Sequence, residues 1–103
     1  MNSMLHLINK SPFEKNSLET AVRLSQPDSA ILLIEDAVYA ASGDTSAVTM
    51  LKDVLRDRQV FALGPDLQAR GVDVEKVPDG IEIIDYEGFV DLVVAHESTQ
   101  SWL

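Results

Sequence analysis

The residues with the clearest potential for chemistry are two adjacent carboxylates, Glu35 and Asp36, which follow an uninterrupted apolar run over residues 30–34. A short run of this kind predicts a strand covered on both faces, and open α/β sheets place ligands at the carboxyl ends of such strands. The pair could therefore bind a cation or act as acid and base. Adjacent side chains on an extended chain point apart, which favours a structural interpretation: Asp36 caps the next helical turn and Glu35 is solvated.

Two histidines and one turn are further candidates. His6 lies within the first apolar run, where a lone histidine is usually a hydrogen-bonded structural residue. His96 follows the last predicted helix, whose partial negative charge favours a protonated ring. Neither has a nucleophile or a second metal ligand at a suitable spacing. The turn Gly64-Pro65-Asp66 has one glycine and an anion-repelling aspartate, so it predicts a strand-to-helix turn instead of a phosphate site. We therefore predict no catalytic residue, no cofactor and no metal in this chain.

The last two residues, Trp102 and Leu103, form an apolar pair that ends a polar segment. Terminal residues usually fray, whereas tryptophan is enriched among the anchors of protein interfaces. The pattern predicts that the pair docks, and it leaves open whether it docks on the chain's own core or on a neighbouring protein.

The charge of the chain argues against several classes of partner. The 103 residues include 8 basic and 17 acidic side chains, which gives a net charge of -9. The basic residues are scattered, and the balance opposes the phosphate contacts that dominate nucleic-acid binding and the attraction to anionic membranes. We expect one domain over residues 1–103, without direct nucleic-acid or membrane binding.

The chain contains no cysteine, so it has no disulfide and no thiolate chemistry of its own. The start lacks the basic region and the long apolar core of a signal peptide. Both features are consistent with a cytoplasmic protein, which is the localisation that we expect.

The order of elements predicts the fold class. Strands are expected near residues 4–9, 29–34, 59–63 and 81–84, with helices between them, and each crossover therefore joins parallel strands. We predict helix caps at Asn16, with Glu19 completing a capping box, at Asp44 or Thr45, and at Asp85. The result is an α/β fold, a three-layer α/β/α domain with a mainly parallel sheet of about four strands.

The last helix is predicted from an apolar repeat at the spacing i, i+3, i+4, i+7. Its members are Tyr86, Phe89, Val90 and Val93.

Five segments together resemble the DsrH/TusB family of sulfur-relay proteins. They lie at residues 5–13, 32–41, 62–71, 84–90 and 100–103, in this order, and cover essentially the whole chain. The resemblance implies a DsrE/F/H-like fold and a subunit that assembles with DsrE/TusD-like and DsrF/TusC-like chains, two copies of each. It also implies that the complex passes persulfide sulfur to a DsrC/TusE-like acceptor. The sulfur then serves either 2-thiouridine formation in tRNA or sulfur oxidation.

The family places its persulfide-carrying cysteine on the DsrE/TusD-like subunit. Some DsrH-type members also have a cysteine in the first helix, and the matching region of this chain, residues 20–22, has none. The resemblance therefore implies a non-catalytic subunit that acts through docking. The candidates for partner contact are Glu35, Asp36, Tyr39, Trp102 and Leu103.

Two other hypotheses remain open at this point. One is a stand-alone α/β enzyme that uses Glu35, Asp36 or His6, and the other is a homo-oligomeric regulatory or ligand-binding module of the same fold.

Overall fold

A computed structural model describes residues 3–12, 16–42 and 45–102 of the chain. Strands and helices alternate along it. The elements are β1 (Met4–Ile8), α1 (Ser17–Leu24), β2 (Ala30–Leu33), a 3-10 helix (Glu35–Ala41), α2 (Ser46–Val54), β3 (Gln59–Leu63), α3 (Gly64–Ala69), a short 3-10 turn (Val74–Lys76), β4 (Ile81–Ile84), α4 (Tyr86–Ala95) and β5 (Ser98–Trp102). No helix among these described elements is both long and apolar enough to cross a membrane.

The sheet has five parallel strands in the order β4-β3-β2-β1-β5. This confirms the predicted α/β fold with a parallel sheet, and all four predicted strands are present. The sequence prediction missed β5, which places Ser98 beside Met4 and Trp102 beside Ile8. Its first four residues are polar and exposed. An edge strand of this kind lacks the apolar run that marked the other strands.

The two faces of the sheet are covered unequally. The steps from β1 to β4 all move in one direction across the sheet, and their helices lie on one face, where Leu18, Val38, Leu51 and Leu67 share a core cluster. The return from β4 to β5 crosses in the opposite direction, and a crossover of the same hand then lies on the opposite face. That face carries α4, which packs on a smaller cluster that includes Leu32.

Side-chain caps are present at two of the three helix starts for which the sequence predicted them. The Thr45 hydroxyl accepts from the amide of Val48, and the Asp85 carboxylate accepts from the amide of Gly88, as expected of N-caps. The predicted cap at Asn16 is wrong. Its ψ of 27° is not the extended conformation of an N-cap, its side chain makes no capping bond, and its carbonyl accepts from the Thr20 hydroxyl. Asp44 lies outside the described residues.

Helix α4 approaches β4 closely at one glycine. A Cβ atom on Gly88 would lie 3.0 Å from the Cβ of Ile84 and 3.4 Å from its Cγ2. The side chains of Phe89 and Leu92, which are partly buried, pack on the sheet beside this contact. The missing side chain at Gly88 therefore sets how near the helix lies to the sheet.

Candidate functional site

Glu35 and Asp36, the two acidic residues after β2, make separate contacts with α3 and the residue that follows it. Glu35 has a φ of 51°, an uncommon value for a residue other than glycine, and its amide donates to Oδ2 of Asp66 at 2.6 Å. Oδ1 of Asp36 accepts from Nε of Arg70 at 2.8 Å. The cap position of the 3-10 helix is Ile34, without a side-chain bond, so the prediction that Asp36 caps this turn is wrong. The carboxylate of Asp36 is held instead by the guanidinium of Arg70, which lies 34 residues further along the chain.

Arg70 connects the 3-10 helix to α3. Its guanidinium also lies 3.8 Å from the carboxylate of Asp66, and the hydrogen bond to Asp36, followed by the nearby negative charges, raises the pKa of Arg70. Within residues 3–12, 16–42 and 45–102, no group of three or more His, Asp or Glu side chains could hold a metal ion. The arrangement is therefore a polar clamp between two helices. Asp36 stays half exposed and Tyr39 is half-buried, so both can still contact a partner.

Trp102 docks on the chain's own core. Its ring lies 6.1 Å from that of His6, and its indole N–H donates to Nδ1 of His6 at 3.1 Å. His6 is only 4% exposed, and burial lowers its pKa. Because Nδ1 accepts a hydrogen bond, the neutral ring carries its proton on Nε2. His6 is thus the hydrogen-bonded structural histidine that the sequence favoured. Leu103 lies outside the described residues.

His96 follows α4 and is tied to it. Its Nδ1 lies 2.8 Å from the carbonyl oxygen of Leu92, which can only accept, so the ring donates there. The ring therefore helps to satisfy the free carbonyl groups at the end of the helix.

A cleft of about 420 Å³ lies between α1 and α2, at the amino end of β3, and not at the edge that carries Glu35. Its charged lining is Arg23, Arg56 and Arg58 with Asp53 and Asp57. Arg58 donates to the backbone carbonyl of Val22 at 3.2 Å. Arg56 is paired with Asp53 and Arg58 with Asp57. The lining contains no hydroxyl, thiol or imidazole, so the cleft presents no nucleophile.

Helix α4 carries an exposed apolar stripe that includes three of the four residues of the predicted repeat. Of the four residues in that repeat, only Phe89 packs on the sheet. Tyr86 is 62% exposed and Val90 is 59% exposed. We call the exposed stripe the α4 outer face; its members are Tyr86, Val90, Val93 and Val94. Three of the four residues in the repeat that predicted this helix are therefore exposed.

A signal for this stripe was present in the sequence. Five of the six residues at positions 89–94 are apolar, which is more than one helix face can hold. Phe89 and Leu92 form the inner face, so the remaining apolar residues must point elsewhere. Such a surface on an otherwise packed domain is typical of a protein interface.

Comparison with known proteins identifies the family. Residues 10–99 match the family model described as DsrH like protein. A protein named TusB from Buchnera aphidicola is 32% identical over 99 residues, which cover 96% of this chain and all of that protein. Another TusB, from Pectobacterium atrosepticum, is 34% identical over 101 residues with the same coverage.

Solved structures agree on the fold. The ychN protein from E. coli superimposes with a TM-score of 0.81 at 20% identity, covering 98% of this chain and 99% of that one. Protein Tm0979 from Thermotoga maritima gives a TM-score of 0.64 at 23% identity, covering 91% and 94%. At this level of identity the likeness concerns the fold alone.

The family model and the sequence relatives lead to one assignment. No cysteine is present in the 103 residues, so the chain cannot form a persulfide on its own side chains. The chain belongs to the DsrH-like family and is similar to TusB proteins over nearly its whole length, and this membership supports the role of a sulfur-relay subunit.

Proposed function

We propose that the chain completes a hetero-oligomeric sulfur-transfer complex together with DsrE/TusD-like and DsrF/TusC-like subunits, two copies of each. In this complex a cysteine of the DsrE/TusD-like subunit carries the persulfide and passes it to a DsrC/TusE-like acceptor. The chain itself contributes surface and shape, because it has no sulfhydryl group to take part in the transfer.

The observation that carries the proposal is the α4 outer face. Tyr86, Val90 and Val94 are all more than half exposed, and they follow one another at i, i+4 and i+8 along one side of the helix. Burying a valine side chain is worth roughly 1.5–3 kcal/mol relative to leaving it exposed. A chain with this surface gains stability from a subunit that covers it.

The carboxyl edge of the sheet supplies a second area for contact. Glu35 is exposed there, Asp36 is half exposed and Tyr39 is half-buried, while Trp102 is only partly buried at the end of the edge strand β5. We keep these residues, with Leu103, as candidates for partner contact. Bonds inside the chain position Glu35, Asp36 and Trp102, and the exposed parts of these three residues are available to a second subunit.

The names of the relatives favour one of the two pathways. The similar proteins from Buchnera aphidicola and Pectobacterium atrosepticum are named TusB, which supports the proposal that this chain acts in the branch that forms 2-thiouridine at the tRNA wobble position. We propose that it does so in the cytoplasm. The net charge of -9 supports contact with protein subunits and not with the tRNA itself.

The first experiment tests assembly. The chain is co-expressed with its DsrE/TusD-like and DsrF/TusC-like partners, and the mass of the purified material is measured by light scattering after size exclusion. We expect one species that contains all three chains in equal number. A chain that stays alone, or forms only a homo-oligomer in the presence of both partners, would contradict the proposal.

A substitution then tests the surface. Val90→Asp places a charge in the centre of the α4 outer face, and we expect it to weaken assembly at least tenfold, since a buried unpaired charge is costly. Leu24→Asp is the matched control, because Leu24 is 58% exposed and lies on α1, at the other face of the sheet. Circular dichroism of both isolated variants checks that they remain folded. Equal assembly by both variants would place the interface elsewhere.

The pathway is tested in cells that lack their own TusB-type subunit. Expression of this chain should restore the 2-thiouridine content of tRNA, measured by mass spectrometry of nucleosides. Full assembly without any recovery of 2-thiouridine would instead favour the sulfur-oxidation branch.

A further inference from the structure

The charge of the chain is concentrated around α4. Residues 77–103 contain no Lys or Arg, whereas they contain six acidic residues: Asp79, Glu82, Asp85, Glu87, Asp91 and Glu97. This segment therefore carries -6 of the net charge of -9. The rest of the chain is nearly balanced. Asp79 lines a surface depression with Lys52 and Arg56, whereas the other five carboxylates lie on β4, on α4 or next to the ends of this helix.

Two of these carboxylates lie directly beside the α4 outer face. At 100° per residue, Glu87 and Asp91 form a row next to Val90 and Val94 on the helix surface, and both acidic residues are exposed. Like charges four residues apart destabilise a helix by a few tenths of a kcal/mol. The last turn of α4 also has no basic residue to complement its dipole. In the isolated chain, Glu87 and Asp91 therefore lower the stability of α4 slightly.

Other carboxylates extend the negative rim. Glu82 is exposed on β4, in register with Phe61, so it lies on the same face of the sheet as α4. Asp85 caps the start of the helix, and Glu97 follows its end. The exposed apolar stripe is thus bordered by carboxylates along one side and at both ends.

This arrangement disfavours a second copy of the chain as the occupant. A copy that docked through the same face would bring another set of carboxylates to the interface, and residues 77–103 contain no Lys or Arg to meet them. Like charges placed against one another across an interface cost several kcal/mol and slow association. The surface instead fits a partner of opposite charge.

We propose that the α4 outer face docks on a different protein subunit whose surface is apolar at its centre and carries Lys or Arg opposite Glu87 and Asp91. This inference rests on the proposed function, because it specifies the chemistry of the partner that the hetero-oligomer supplies. The valines and Tyr86 provide the buried centre. The carboxylates steer the encounter, fix the register and reject self-association.

The test reverses the charge of the row. The double variant Glu87→Lys/Asp91→Lys is compared with Asp28→Lys/Glu75→Lys, which makes the same change in net charge at exposed positions away from α4. Association with the co-purified DsrE/TusD-like and DsrF/TusC-like subunits is followed by surface plasmon resonance at low and high salt. We expect the α4 variant to lower the association rate constant about tenfold at low salt, with a smaller difference at high salt. The control should retain most of the wild-type rate.

The outcomes separate this inference from the proposed function. If the wild-type chain does not bind the two subunits at all, the proposed function fails. If it binds them and the α4 variant associates as fast as the Asp28→Lys/Glu75→Lys control, the hetero-oligomer stands and the basic-rimmed partner surface is wrong. A wild-type chain that forms a stable homodimer through α4 would also overturn the inference.

Discussion

The indole N–H of Trp102 donates to Nδ1 of His6 across 96 residues of sequence, at 3.1 Å. The bond joins the end of β5 to the middle of β1, the strand beside it in the sheet. His6 is buried, so its ring nitrogen needs a partner from within the chain. The contact explains why a polar segment at the end of the chain holds its place as a strand.

Removing the donor should destabilise the chain. Trp102→Phe keeps an aromatic ring and leaves the buried Nδ1 of His6 without its partner, and we expect a loss of about 1–3 kcal/mol in the free energy of unfolding. Urea unfolding followed by circular dichroism measures it. In the double variant Trp102→Phe/His6→Leu, both polar groups are gone, and the loss should be smaller than the sum of the two single losses. Additive losses would show that the bond contributes nothing.

The same contact predicts a pH dependence. Burial lowers the pKa of His6 in the folded chain below its ordinary value of 6.5, which the unfolded chain keeps. As the pH falls below about 6.5, the unfolded state binds the proton first, so the free energy of unfolding decreases until the folded pKa is passed. Above that range the group contributes no pH dependence.

Fluorescence of Trp102, the single tryptophan, measures the urea midpoint between pH 5.5 and 7.5. We expect a lower midpoint at pH 5.5 for the wild-type chain and a smaller difference for His6→Gln, which has no titrating ring. An equal decrease in both proteins would assign the pH dependence to other groups.

The contacts of Asp36 and Asp66 between the 3-10 helix and α3 predict which substitution lowers the free energy of unfolding more. Asp66→Ala removes the acceptor of the Glu35 amide, in a backbone conformation that has a positive φ, as well as a neighbour of Arg70. We expect it to cost about 1–2 kcal/mol. Asp36→Ala should cost about 0.5 kcal/mol, because that carboxylate is half exposed and the pair is screened by solvent. Chemical denaturation of both variants checks the order, and a larger loss for Asp36→Ala would contradict it.

Gly88 provides a test of the packing of α4. Alanine is favoured over glycine in a helix by up to about 1 kcal/mol, but its Cβ would lie 3.0 Å from the Cβ of Ile84, an atom next to the backbone that cannot move independently. We expect Gly88→Ala to lower the thermal midpoint, since α4 must shift away from β4. Gly71→Ala is not a suitable comparison, because its φ of 67° adds strain of a different kind. A raised midpoint would show that the helix moves at no cost.

The position of α4 also bears on assembly. A shift of this helix moves the α4 outer face, so Gly88→Ala should weaken binding to the partner subunits by more than its effect on stability accounts for. Binding measured at a temperature where the variant is fully folded separates the two effects. Wild-type affinity in a destabilised but folded variant would place the interface away from this helix.

Much of this protein was determined by local sequence. Short uninterrupted apolar runs next to turn residues are typical of strands buried on both faces, so β2 was predicted from residues 30–34 and the turn before them. The caps at Thr45 and Asp85 depend on bonds within three residues, and both are present in the structure. The absence of cysteine, which excludes a persulfide on this chain, needs no structure at all.

Only the tertiary structure decided those features that depend on contacts between residues far apart in the chain. The segment Ser98–Trp102 became a strand because β1 offers a free edge and His6 accepts from Trp102, and neither fact is visible in a polar segment. The carboxylate of Asp36 binds Arg70 at the end of α3 and does not cap its own turn, because the fold brings this guanidinium next to it. The two apolar sides of α4 were distinguished only when Phe89 and Leu92 packed on the sheet, because one helix can bury a single face against it.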